Sequence, residues 1–307
     1  MRIVFFGTPT FAVPSLDALL ELGEDVVAAV TQPDRPKGRS RSALVPPPVK
    51  LRAQAAGIPV LQPARPIGDD FVSSLKNLRP DLGVVVAYGH ILRPAVLSIP
   101  PLGMINVHAS LLPAWRGAAP IQWSIANGDP TTGVTIMQME AGLDSGPILL
   151  AKTTPIGPDE TGGQLTYRLA QLGADALREV IPLLRTGTMT ATAQDHSRAT
   201  VAPKVGREVG RIDWTKPASE VGARIRGFDP APGAWSVVGG KEVKLFNPTP
   251  SSLSGPPGTV LTTSPDLIVA AGVGAVSIGE VQAAAKPRMP AADWIRGRPI
   301  EPGDRFQ

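Results

Sequence analysis

Asn106 and His108 stand two residues apart in the segment Met104-Ile-Asn-Val-His108. On an extended strand, residues i and i+2 point to the same face, so an amide and an imidazole are presented side by side. Both suit acyl-type transfer, in which an amine attacks a carbonyl carbon and negative charge grows on oxygen. The Asn amide donates to that oxygen, and one such donor is typically worth a factor of about 10²–10³ in rate. The imidazole either donates to the same oxygen when protonated or takes the proton of the attacking amine. A third group has to hold the ring and balance its charge. Asp144, in Gly142-Leu-Asp-Ser-Gly146, offers a carboxylate in a glycine-flanked loop. Its spacing from His108 does not choose between that role and an ordinary turn aspartate.

Composition removes several other chemistries. The chain of 307 residues has no cysteine and three histidines, His90, His108 and His196. That excludes a thiolate nucleophile, a disulfide framework and a cysteine-type zinc site, and no metal is expected. Gly7-Thr-Pro-Thr-Phe-Ala12 lacks the second glycine of G-x-G-x-x-G, so a dinucleotide cofactor has no support. No basic leader with a long apolar stretch and no apolar run near 18 residues is visible, so a cytoplasmic enzyme without a membrane segment is expected.

The elements that must position these groups follow from periodicity. Residues 2–6, 25–30, 58–61, 82–87 and 104–108 read as short aliphatic strands. Residues 11–22, 48–56, 71–78 and 122–127 read as helices between them, with 134–139 and 147–153 as a later strand pair and 161–184 as a long closing helix. Aliphatic strands separated by helices predict an α/β fold, a doubly wound, Rossmann-like, mostly parallel sheet covered on both faces. Such sheets place ligands at the carboxyl ends of their strands, which is where His108 falls. This catalytic domain is expected over 1–189. Residues 190–209, rich in Thr, Ala and Lys/Arg without periodicity, read as a linker. Over 210–307 short strands at 234–238, 242–246, 258–262, 267–271 and 275–281 alternate with Pro/Gly/Ser turns, predicting a small OB-like β-barrel. Trp214, Trp235 and Trp294 are expected in its core.

The net charge is +4, which suits a polyanionic partner and equally suits a plain solvated surface. The stretch 32–48 is long for a connection inside an α/β unit. It carries Arg35, Lys37, Arg39 and Arg41 against Asp34.

At these residues the chain resembles the methionyl-tRNA formyltransferases, a branch of the folate-dependent formyltransferase family. The stretches that carry the resemblance include Phe6-Gly-Thr-Pro9, Thr31-Gln-Pro-Asp-Arg-Pro36, Val86-Ala-Tyr-Gly89, Asn106-Val-His108, Ser110-Leu-Leu-Pro113, Trp115-Arg-Gly-Ala-Ala-Pro-Ile-Gln122, Gly142-Leu-Asp144 and Arg211-Ile-Asp-Trp214. The resemblance implies that Asn106, His108 and Asp144 are the catalytic trio, with the division of roles between His108 and Asp144 open. It implies 10-formyltetrahydrofolate as formyl donor, held by Ser110, Leu111, Leu112 and Pro113. The pterin wall would be formed by Tyr88, Gly89, His90, Ile91 and Leu92, with Gly142 opposite, and His90 is either on the pocket rim or on the surface. It implies initiator methionyl-tRNA as the partner, approached by Arg35, Lys37, Arg39 and Arg41. Lys204, in the linker, is either a phosphate contact or an exposed lysine. A monomer is expected. Thr10 and Phe228-Asp-Pro-Ala-Pro232 depart from the family's usual pattern.

Three rival functions share some of these residues. A formyltransferase acting on a small amine, a sugar nucleotide or glycinamide ribonucleotide, needs the trio but not the basic loop. A nucleic-acid-binding module needs the loop and barrel but not His108. A hydrolase releasing formate from the same folate would use water in place of the amine.

Overall fold

Continuous aliphatic runs make the central strands, because each is covered on both faces. The computed structural model describes residues 1–37, 43–297 and 300–307. In chain order the first strands are β1 (Arg2–Gly7), β2 (Asp25–Val30), β3 (Arg35–Lys37), β4 (Ala43–Val45), β5 (Val60–Leu61), β6 (Leu82–Val86), β7 (Met104–His108), β8 (Arg116–Gly117), β9 (Thr131–Gln138) and β10 (Ile148–Pro155). Seven of these form one sheet in the order β10-β9-β7-β6-β1-β2-β5. β1 runs parallel to both β2 and β6, β2 parallel to β5, and β6 parallel to β7. β9 then turns antiparallel against β7. This is the mostly parallel, Rossmann-like sheet that the sequence predicts.

Helices α1 (Val13–Glu21), α2 (Pro48–Ala55), α3 (Asp69–Asn77) and α4 (Pro94–Leu97) connect the strands. Pro residues in the first turn start α1, α2 and α4, where a missing N–H is tolerated. Val4 and Phe6 share one face of β1 and pack with Val85, Met104 and the buried Phe71 and Leu75 of α3. The carboxyl ends of β1, β2, β6 and β7 therefore point the same way, and the loops leaving them gather at one edge of the sheet.

Contacts divide the chain into two units. The first comprises Met1–Gly117, Gly133–Thr154 and Thr166–Val201, and the second Ala118–Thr132, Pro155–Leu165 and Ala202–Gln307. Residues 190–201, expected as part of a linker, fall in the first unit. An antiparallel bridge between Ile148 and Thr192 lays this stretch beside β10.

The second unit is built on a curled antiparallel sheet. Lys241–Ser251 pairs with both Ala234–Val238 and Ala275–Ala283, and Leu267–Ala270 pairs with Ala275–Ala283 and Val260–Thr262. It is the small-barrel architecture expected. Its core joins Trp214, Val221, Ile225, Val243, Leu245, Ile278, Trp294 and Phe306. The helix Ala218–Gly227 was not anticipated from the sequence, although Val221 and Ile225 are spaced to share a face. No helix among the described residues is long and apolar enough to cross a membrane.

Candidate active site

β7 lies between β6 and β9, so its polar residues are fixed by ladders on both sides. Asn106 is in register with Val85 and Met137, and His108 with Thr135. Asn106 is half-buried, while His108 keeps 5% of its surface exposed. The His108 Nε2 lies 2.9 Å from the Trp115 carbonyl oxygen. A carbonyl only accepts, so Nε2 carries the hydrogen. In the neutral ring Nδ1 is then a free base, and it lies 3.6 Å from Asp144 Oδ2. Burial pulls the imidazole's pKa below its ordinary value. The Asp144 charge and the hydrogen bond to Trp115 push it back up, and Arg116 pulls it down. Burial wins because desolvation acts directly on the charged form.

Asp144 sits at the turn after β9 with φ of 46°, a left-handed conformation that a non-glycine residue adopts only at a cost. Its Oδ2 accepts the Gly117 amide at 2.8 Å, a hydrogen bond to the charged carboxylate. Gly146 closes the loop against β9, where any Cβ would overlap the Gln138 carbonyl oxygen. The structure thus brings His108, at the end of β7, and Asp144, in the loop after β9, together from 36 positions apart, and Asn106 shares the face of His108.

The Ser110-to-Pro113 loop is anchored from β9. Thr135 Oγ1 donates to the Ser110 carbonyl at 2.7 Å and accepts the Leu112 amide at 3.1 Å. Ser110 is buried and gives its hydroxyl to the Ala114 carbonyl at 2.6 Å, so that side chain shapes the loop. Leu112 is buried, and Leu111 and Pro113 are half-buried. After β6, Tyr88 is buried with its ring edge-on to Phe6 and to the half-buried His90, and burial pushes its phenol pKa up to about 12. Leu92 is buried as well, whereas Gly89 and Gly142 are exposed and Ile91 is 83% exposed. Thr8 Oγ1 and Gln32 Nε2 both donate to the Tyr88 carbonyl, tying β1, β2 and β6 together at their carboxyl ends.

Of the basic residues, Arg35 is exposed on β3, which pairs antiparallel with β4, and donates to Gln32 Oε1. Lys37 ends β3. Arg39 and Arg41 lie outside the described residues. Lys204 is exposed in the second unit. Among the described residues no group of three or more His, Asp or Glu is placed to hold a metal.

Sequence reasoning missed Arg116, Thr135 and Gln194. Gln194 is buried and bonded to both Arg116 and the Asp144 loop. It lies in a Thr- and Ala-rich stretch with no periodic signal. Arg116 belongs to the quoted Trp-Arg-Gly stretch, and its proximity to His108 is a tertiary fact.

Comparison with known proteins settles the family. Residues 1–181 match the formyl transferase family model, and residues 204–299 match the model for the formyl transferase C-terminal domain. The chain belongs to the formyl transferase family. Methionyl-tRNA formyltransferase of Geobacter sulfurreducens is 46% identical over 307 residues, covering 100% of this chain and 96% of that protein. The enzyme of the same name from Myxococcus xanthus is 48% identical over 305 residues, covering 99% and 97%. Solved formyl transferase structures share the fold at lower identity. WlaRD, a sugar 3N-formyl transferase crystallised in the presence of dTDP and 5-N-formyl-THF, superposes with a TM-score of 0.70 at 16% identity, over 94% of this chain and 99% of that one. HypX from Aquifex aeolicus in complex with tetrahydrofolic acid superposes with a TM-score of 0.65 at 21% identity, over 100% of this chain and 50% of that one.

Proposed function

We propose that this formyl transferase moves the formyl group of 10-formyltetrahydrofolate to the free amino group of initiator methionyl-tRNA. What carries this function is the end-to-end similarity, at 46–49% identity, to relatives called methionyl-tRNA formyltransferase. The geometry around His108 supplies a mechanism. Neutral His108, with Nε2–H committed to the Trp115 carbonyl, takes a proton from the attacking amine at Nδ1. Asp144 Oδ2, 3.6 Å away, stabilises the imidazolium that forms. Asn106, on the same face, donates to the oxygen on which charge develops; as the tetrahedral adduct collapses, the imidazolium gives its proton to the departing folate nitrogen, the C–N bond to the formyl carbon breaks and tetrahydrofolate leaves. Of the two roles open to the imidazole, proton acceptance fits the tautomer that the Trp115 carbonyl imposes. No enzyme-bound acyl group is needed, because the donor amide is already activated.

The folate is a co-substrate, and aliphatic side chains beside exposed backbone groups fit its flat, hydrogen-bonding pterin ring. Ile91 and Leu143 expose large aliphatic side chains, at 83% and 58%, in the loops that carry Tyr88, Gly89 and Leu92 on one side and Gly142 on the other. The loop of residues 110–113 completes this wall. Arg35, Lys37, Arg39, Arg41 and Lys204 supply positive charge for the tRNA backbone, and the second unit is the tRNA-binding part. The enzyme acts as a monomer in the cytoplasm, without a metal.

Transfer of labelled formyl from 10-formyltetrahydrofolate is measured to charged initiator tRNA, uncharged tRNA and small amines. The expected result is transfer to the charged tRNA alone. Transfer to a sugar nucleotide or glycinamide ribonucleotide and not to methionyl-tRNA would contradict the assignment, as would formate release with no acceptor present.

A further inference from the structure

Asp144 poses a structural problem. Its backbone is left-handed at φ of 46°, its loop is exposed at residues 141–143, and its carboxylate has to stay in register with Nδ1 of His108. The two contacts of that carboxylate, to the Gly117 amide and to His108, do not fix the peptide units around it. A side chain from residues 190–201 does. Gln194, 7% exposed, donates from Nε2 to the Asp144 carbonyl at 2.9 Å and to the Gly146 carbonyl at 2.7 Å. Its Oε1 accepts from Arg116 Nη2 at 2.6 Å and Nε at 3.2 Å. Both donors and both lone pairs of the amide are engaged, and a flipped amide would set oxygen against two carbonyls and NH₂ against a guanidinium. The orientation is therefore fixed by its partners.

The stretch carrying Gln194 is itself tied down on both sides. Thr192 exchanges two backbone bonds with Ile148, each 2.8 Å. Thr200 accepts the Trp115 amide on Oγ1 at 2.8 Å and the Arg116 amide on its carbonyl at 2.9 Å. Residues 192–200 thus bind both the loop that presents the Trp115 carbonyl to His108 and the loop that presents Asp144.

We propose that Gln194 is a positioning residue for formyl transfer: its amide grips the peptide carbonyls on either side of Ser145 and holds the Asp144 carboxylate against His108 Nδ1 and the Gly117 amide. This rests on the function proposed above. Gln194 touches no reacting atom; it acts through Asp144, and it also holds the Arg116 guanidinium whose charge bears on His108. Small displacements of a reacting group cost large factors in rate, so loosening this grip lowers turnover more than binding.

The test compares wild type with Gln194→Ala and Gln194→Glu, each in the native and the Asp144→Asn background. Steady-state and single-turnover formyl transfer to methionyl-tRNA are read against pH, and thermal unfolding is read alongside. Gln194→Glu retains the acceptor for Arg116 and the side-chain volume but loses both donors to the loop. Expected is a fall in kcat of about ten- to a hundredfold for both variants, with KM for folate and tRNA within about threefold. The groups facing His108 are Asp144 and Arg116; in Gln194→Ala, which adds no charge, displacement of Asp144 moves the acidic limb of the pH profile to lower pH. In the Asp144→Asn background the same Gln194 changes cost less than about twofold, because a residue acting through a lost group has nothing further to lose. Absence of transfer by wild type overturns both the function and this role. Wild-type transfer with kcat unchanged in either folded variant, or an equal loss with and without Asp144, overturns the positioning role alone.

Discussion

The edge of the parallel sheet and the curled antiparallel sheet use polar side chains in opposite ways. At the parallel edge, backbone strain and polar groups aimed at one place coincide. Ala87, Trp115 and Asp144 take left-handed conformations in the loops after β6, β7 and β9, and His108 is buried with one nitrogen left as a base. In the second unit two tryptophans bond to groups of their own unit. Trp214 Nε1 donates to Ser236 Oγ, which donates to the Gln307 carbonyl. Trp235 Nε1 donates to the Arg207 carbonyl while the Arg207 guanidinium lies over its ring, 4.7 Å from the centroid. Arg288 is paired with Asp229 and Glu280. Asn247 and Ala285 of the second unit are left-handed too, so strain alone does not mark the site; its coincidence with a buried imidazole and a facing carboxylate does. The contrast places the candidate catalytic groups in the first unit, while the polar groups named in the second are spent on its own packing.

The largest effect that sharpens this contrast is on stability. Trp214 is 5% exposed within the core of the second unit, so Trp214→Ala is expected to cost about 3–5 kcal/mol of unfolding free energy, read by denaturant titration. Turnover by the folded fraction should stay near wild type. A folded Trp214→Ala protein with lost turnover would break the division of labour.

Asp144→Asn comes next. Asn tolerates the left-handed backbone, so the loop survives while the charge is lost. On the proposed mechanism transfer needs neutral His108, so the rate is expected to fall as pH drops through the imidazole's depressed pKa. The Asp144 charge raises that pKa, and removing it moves the acidic limb to lower pH. The rate on the neutral plateau falls about ten- to a hundredfold, because the imidazolium formed in the reaction loses its partner. An acidic limb that moves to higher pH would refute the pairing.

The smallest effect is at β3. Arg35→Ala should raise KM for tRNA a few-fold, leave KM for folate unchanged, and reduce the slope of log affinity against log salt by about 1. Unchanged tRNA binding would remove Arg35 from the interface.

How much of this was legible in the sequence differs between the same two regions. The strand carrying Asn106 and His108 was read over the residues it occupies, because two polar residues at even spacing in an aliphatic strand define one polar face. The barrel strands were likewise readable from alternation between turn residues, while the helix Ala218–Gly227, with Gly222 and Ala223 between its two apolar residues, was passed over. The meeting of Asp144 with His108 is a tertiary event and left no local mark beyond glycines flanking a carboxylate. Gln194 is the clearest omission. Its stretch has few apolar residues because it is held by backbone and amide hydrogen bonds, and such a segment looks like a linker to any test based on hydrophobic period.

The central claim is that the imidazole of His108, set beside Asp144 at the end of β7, carries the proton of formyl transfer. Single-turnover transfer from 10-formyltetrahydrofolate to methionyl-tRNA by His108→Ala, with the affinities for both substrates measured separately, tests it most directly. The rate is expected to fall at least about a hundredfold with both affinities nearly unchanged. A His108→Ala protein that transfers formyl at the wild-type rate would contradict it.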